Sequence, residues 1–137
     1  MSARSFFDSN ILVYTDSSDA PAKRRRALEL LVEHRLARTG VVSLQILQEY
    51  FAAATRKLGI EVEVARRQVE LFANFHVVVL DVEDVLAAID LHRLHQVSFW
   101  DALVVRAAKQ GGCPVLYSED LQHGRTIDGV GVVNPFR

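Results

Sequence analysis

Cysteine is nearly absent from this chain. Cys113 stands alone among 137 residues, which excludes an internal disulfide and any cysteine-built zinc module. Nowhere does an apolar run approach the roughly 18 uninterrupted residues of a membrane span, and the N-terminus carries no apolar stretch of signal-peptide length. A reducing cytosol is therefore the expected compartment. No low-complexity segment, internal repeat or shift of composition marks a second domain. Neither sign of charge dominates, since 16 basic and 17 acidic residues leave a net charge of -1. That balance argues against a protein that coats nucleic acid through charge alone. The five histidines, at 34, 76, 92, 95 and 123, show no metal-ligand spacing, and His92 and His95 are expected to be a surface pair.

What is present is a hydrophobic half and an uneven set of charges. The length suits one domain over residues 1–137 with a core of its own. Thirteen of the sixteen basic residues are arginine. They gather in Lys23-Arg24-Arg25-Arg26, Arg56-Lys57 and Arg66-Arg67, which read as solvated helix faces or as phosphate-binding patches around an acidic centre.

Strand and helix signals alternate along the chain. Short apolar runs at 5–8, 39–42, 76–80, 115–117 and 131–134 predict five strands. Helices are expected at 20–38, 43–58, 62–75, 82–95 and 98–110, and Ser9-Asn10 opens a shorter helical run. Asp19 is the expected cap of the first long helix, Pro21 lies early in it, and Ala27, Leu28, Leu31, Val32 and Leu36 recur at helical spacing. Gly59 and Gly111-Gly112 read as stops. Tyr50, Phe51 and Trp100 are expected in the core. The fold class is α/β, a short-stranded parallel sheet of about five strands covered by helices on both faces.

Four carboxylates, Asp8, Glu49, Asp101 and Asp120, fall where apolar runs give way to turns or helix starts. In an open parallel sheet the ligand site lies beyond the carboxyl ends of the strands, and all four can converge on that rim. Asn10, Ser43 and Ser118 belong to the same rim. Acids gathered there repel one another, and a hard cation such as Mg²⁺ or Mn²⁺ removes the conflict with oxygen ligands alone. Such a rim suits phosphodiester hydrolysis. Competing chemistries fit less well. A haloacid-dehalogenase-like phosphatase wants Asp or Thr where Asn10 stands and a lysine later than Lys109. A receiver domain wants an acidic pair after the first strand. Dinucleotide binding would rest on Gly129 and Gly131 alone, with no helix to follow.

The stretches Phe7-Asp8-Ser9-Asn10-Ile11-Leu12, Ser43-Leu44-Gln45-Ile46-Leu47-Gln48-Glu49, Ser98-Phe99-Trp100-Asp101-Ala102-Leu103 and Tyr117-Ser118-Glu119-Asp120-Leu121 together resemble the successive signatures of PIN-domain nucleases. The likeness is greatest to VapC-type toxins of toxin-antitoxin pairs. It implies a PIN-like three-layer fold and an Mg²⁺- or Mn²⁺-dependent endoribonuclease. It also implies a homodimer and a small antitoxin partner. By position, Asp8, Glu49, Asp101 and Asp120 match the family's acids, with Asp8, Asp101 and Asp120 as the expected metal ligands. Asn10, Ser43 and Ser118 match its supporting polar positions, and Glu119 falls where the family varies. A PIN-like module that binds RNA or a partner without cutting is the alternative that the residues leave open.

Overall fold

The computed structural model describes residues 3–137. The elements in chain order are β1 (Ser5–Phe7), α1 (Ser9–Tyr14), α2 (Pro21–Ala37), β2 (Gly40–Ser43), α3 (Leu44–Arg56), α4 (Val62–Phe72), β3 (His76–Val78), α5 (Val82–His95), α6 (Phe99–Gln110), β4 (Val115–Tyr117), β5 (Thr126–Ile127) and β6 (Val130–Val133). The strands form one six-stranded sheet in the order β3-β2-β1-β4-β6-β5. All neighbouring pairs are parallel except β5 with β6.

The chain walks outward from β1 to β3 through α1 to α4, then returns to β4 through α5 and α6. With right-handed crossovers these two journeys cover opposite faces of the sheet. Strand order reverses at β1, which has β2 on one side and β4 on the other. A crevice therefore opens beyond the carboxyl ends of β1 and β4. The central strands are buried on both faces, with Phe6, Phe7, Val41, Val42 and Leu116 essentially inaccessible, as a parallel sheet requires.

Local chemistry explains most boundaries. Asp8 caps α1, Ser43 caps α3 and Ser98 caps α6, each accepting a backbone N–H at the start of its helix. Asp81 and Asp84 form a reciprocal capping box on α5.

Several expectations need correction. The first long helix is capped by Ala20 without a side-chain hydrogen bond, not by Asp19, because Pro21 removes one of the donors a cap would satisfy. Helix α3 gives way at Lys57, two residues before Gly59. Helix α4 ends at Phe72, and Phe75 instead tucks its ring against the bare face of Gly40 and packs on Phe7. A side chain at position 40 would collide with that ring.

The sheet has a sixth strand and is not wholly parallel. Asp128 and Gly129 both adopt positive φ, 51° and 82°, and make the two-residue turn of a β5–β6 hairpin. On α2 the inward residues are Ala27, Leu30, Leu31 and His34, while Leu28, Val32 and Leu36 face outward at 40%, 55% and 80% exposure. Tyr50 is buried as expected, whereas Trp100 is 63% exposed and stands outside the core. Among the described residues no helix is long and apolar enough to cross a membrane.

Candidate active site

The crevice at the strand-order reversal holds the most constrained acid. Asp8 follows the last residue of β1, is 3% exposed, and accepts the Ser9 N–H at 2.7 Å through Oδ1. Its other oxygen, Oδ2, accepts the hydroxyl of Ser118 at 2.7 Å. Ser118 follows β4, is wholly buried, and accepts the backbone N–H of Asp120 at 3.1 Å. One hydroxyl thus ties the end of β1 to the loop that carries Asp120.

Electrostatics show that the acids share a field. Burial pushes the Asp8 carboxyl up to about 6, against the pull of the Ser118 and Ser9 hydrogen bonds, and the charges of Asp120 and Glu49 push the same way. Burial likewise raises Asp101, opposed by Ser98 and reinforced by Asp120. Asp101 lies in the first turn of α6, and its backbone N–H bonds Ser98 Oγ at 3.0 Å. Glu49 projects from α3 and accepts from Gln45 at 3.1 Å. Ser43 is 2% exposed at the end of β2, and its Oγ accepts the Ile46 N–H at 3.3 Å. It orients the helix that carries Glu49.

Asp8, Glu49, Asp101 and Asp120 therefore come to one rim, as do Asn10, Ser43 and Ser118. Among the described residues, however, no three acidic, histidine or cysteine side chains close on one point as a preassembled cage. The donor chemistry still suits a hard cation. The set is all oxygen, neighbouring carboxylate charge helps raise Asp8 and Asp101, and Mg²⁺ keeps several waters and needs only one or two direct carboxylates. Asn10 adds a further sign of incompleteness. Its Oδ1 accepts the Glu119 N–H at 3.3 Å, while its buried Nδ2 has no acceptor.

Two features beside the rim escaped the sequence. Glu119 receives the Tyr14 hydroxyl at 2.6 Å and the Lys23 ammonium at 2.5 Å. Phe136 packs edge-on against Tyr14 with ring centroids 4.9 Å apart. This clasp pins the Ser118–Asp120 loop to α1 and α2. It joins residues more than 90 positions apart, so no local pattern could announce it. The basic run at 23–26 is largely spent on such contacts: Arg24 bonds Thr15 O and Arg26 bonds Pro135 O. Trp100, next to Asp101 in the chain, is the other feature: expected in the core, it is exposed instead.

The model of the PIN domain family matches residues 5–127. The chain belongs to the PIN-domain family. Among solved structures it is similar to the Mycobacterium tuberculosis toxin VapC20, described as a sarcin-ricin loop cleaving toxin. That likeness has a TM-score of 0.70 at 19% identity, covering 85% of this chain and 89% of the other. It is also similar to a toxin-antitoxin complex from Klebsiella pneumoniae, with a TM-score of 0.69 and 20% identity over 98% of both chains. A third is the DNA-bound VapBC of Salmonella typhimurium, with a TM-score of 0.65, 19% identity, and 96% and 97% coverage. No curated protein matches the sequence significantly.

Proposed function

We propose that this protein is an Mg²⁺- or Mn²⁺-dependent endoribonuclease and the toxin of a toxin-antitoxin pair. The observation that carries the proposal is the Asp8–Ser118–Asp120 link across the strand-order reversal, with Glu49 and Asp101 inside the same electrostatic field. A buried carboxylate such as Asp8, with the charges of Asp120 and Glu49 nearby, is costly unless the site has a cationic ligand.

Asp8, Asp101 and Asp120 would hold the principal ion, directly or through water. When bound, that ion supplies Lewis-acid polarisation of the scissile phosphate and neutralises the carboxylates. Glu49 would complete the set or act as the base that orients the attacking water and takes its proton. Ser118 keeps Asp8 and the Asp120 loop in register, and Ser43 does the same for the helix that carries Glu49. The unpartnered Asn10 Nδ2 is available to a phosphate or water oxygen. Because water and not the RNA 2′-hydroxyl attacks, the products are a 5′-phosphate and a 3′-hydroxyl.

Two unpartnered apolar faces suit the partners that this reading requires. The outer face of α2 combines Pro21, Leu28 and Val32 with Arg24, Arg25, Glu29 and Glu33 around a groove of about 770 Å³, a fit for an antitoxin segment with an apolar face and flanks of both charges. Val82, Val85, Leu86 and Ile89 on α5 are exposed, and Trp100 and Val85 share a cleft. A second copy of the chain would cover that face.

The test is expression of the chain alone in a bacterial host with mapping of RNA 5′ ends, wild type against Asp101→Asn. New 5′-phosphate ends that depend on Asp101 support the reading. New 5′-hydroxyl ends, the counterpart of a 2′,3′-cyclic phosphate, or no difference between the two proteins, overturn it.

A further inference from the structure

A second polar pocket opens at the opposite end of the sheet, where the strands begin. It encloses about 510 Å³ beside Gly40 and His76, the first residues of β2 and β3, and Arg4, just before β1. The end of α2 supplies His34, Arg35 and Arg38. Three guanidinium groups and two imidazoles thus face one hollow, and no carboxylate lines it.

None of the three guanidinium groups has an ion-pair partner among the described residues, while burial favours the neutral form of His34. Arg4 is anchored by a 3.0 Å bond from Nη1 to Gly111 O, which uses one of its five donors. Arg35 and Arg38 make no ion pair and no side-chain hydrogen bond among the described residues. His34 is 7% exposed, bonds Thr39 Oγ1 at 2.7 Å through Nδ1, and leaves Nε2 without a hydrogen-bond partner. Glu33 lies 3.4 Å from that nitrogen but makes no hydrogen bond to it. The bland role for arginines here is to offset the carbonyls that end α2. Two of those carbonyls are already occupied, because the Arg38 and Thr39 N–H groups bond Arg35 O and His34 O at 3.2 and 2.9 Å. The backbone at Arg38 takes a left-handed turn, with φ 58°, and so places a second arginine beside the helix end.

We propose that this hollow is a phosphate-binding site distinct from the acidic rim. Several guanidinium forks converging without a carboxylate suit the tetrahedral oxygens of a phosphate ester, and the volume suits a nucleotide. Two sources share that chemistry: a free nucleotide, and the backbone of an RNA that reaches past the sheet edge at β3. The site does not rest on the nuclease reading, because its residues end no strand at the acidic rim.

The experiment follows imidazole resonances of full-length Asp101→Asn protein by NMR, without divalent metal and at constant ionic strength. The probes are inorganic pyrophosphate, adenosine 5′-monophosphate, a single-stranded RNA 12-mer and malonate. Saturable shifts of His34 and His76, with His92, His95 and His123 unmoved, are expected for pyrophosphate. Replacing Arg35 and Arg38 by glutamine should weaken that binding by about tenfold or more for each lost charge-assisted bond. Shifts with the mononucleotide but not the RNA assign a free nucleotide; shifts with the RNA that pyrophosphate reverses assign its backbone. Equal affinity for malonate, equal shifts at all five histidines, or no loss in the folded double variant overturns the proposal. Failure of RNA cleavage in the expression test leaves this result untouched, so the two readings fail separately.

Discussion

Ser118 donates its hydroxyl to Asp8 across the point where strand order reverses, a 2.7 Å contact between residues 110 positions apart. The same oxygen accepts the Asp120 N–H, so a single atom sets the spacing of two acids. Removing it in Ser118→Ala frees the Asp120 loop and leaves Asp8 with one hydrogen bond fewer. We expect Mn²⁺ affinity and single-turnover RNA cleavage to fall about 10–100-fold, with a stability loss of only about 1–2 kcal/mol by urea unfolding. Cleavage at the wild-type rate in a folded Ser118→Ala protein would show that the link is structural only.

Asp8 also predicts a pH dependence opposite to that of an ordinary buried ion pair. Its folded-state value of about 6 lies above the ordinary 3.8, so the folded protein binds the extra proton. Its favourable contribution is complete below pH 4 and is lost as pH rises through 6. Metal-free Asp8→Asn should therefore be more stable than wild type at pH 7.5, by about 1–2 kcal/mol after the weaker hydrogen bonding of the amide is counted. Near pH 4 the gap should close. Added Mn²⁺ should stabilise wild type and leave the variant unmoved. Thermal unfolding across pH and metal concentration reads all three, and a variant less stable than wild type at pH 7.5 contradicts the burial argument.

Gly40 and Phe75 make a purely steric prediction. A methyl group at position 40 would meet the Phe75 ring, which is itself packed against Phe7 with ring centroids 5.8 Å apart. Gly40→Ala should cost about 1–3 kcal/mol through overpacking, and Phe75→Leu in the same chain should recover part of it. Urea midpoints of the two variants check this, and additive losses would mean that the two positions do not touch.

What could be read from the sequence was whatever is settled within a few residues. The caps at Ser43 and Ser98 each act over three positions, which makes the helices from 43 and 98, and with them the places of Glu49 and Asp101, legible locally. Helix α2 was harder. Its apolar residues at 27, 28, 30, 31, 32 and 36 wrap most of the way round, so periodicity could not choose between the face that meets the sheet and the face left to solvent. Trp100 was misjudged because hydrophobicity alone does not say what a helix end meets. The β5–β6 hairpin did have a local signal, the Asp128-Gly129 pair, but its strand of two residues fell below any hydrophobic pattern. The arginine-lined pocket brings together positions 4, 35, 38 and 76, and only the completed sheet makes them neighbours.

Asp84 carries the last prediction. It is 4% exposed and accepts the Asp81 N–H at 3.0 Å, Arg106 at 2.9 Å and Gln110 at 2.6 Å, joining the first turn of α5 to the latter half of α6. The Asp81 backbone bond first, and then the Gln110 and Arg106 bonds, hold its carboxyl near 2 despite burial. A depressed folded-state value stabilises the protein above the ordinary value of 3.8, and the benefit drains away as pH falls toward 2. Asp84→Asn should lose about 2–3 kcal/mol at pH 7, combining a weakened capping box with a half-buried guanidinium left without its carboxylate. The penalty should shrink steadily below pH 4. Arg106→Gln should lose a comparable amount, and the double variant less than the sum, because both changes break the same ion pair. Chemical denaturation from pH 7 to pH 3 tests it: a penalty that stays constant across that range means that the carboxylate charge contributes nothing.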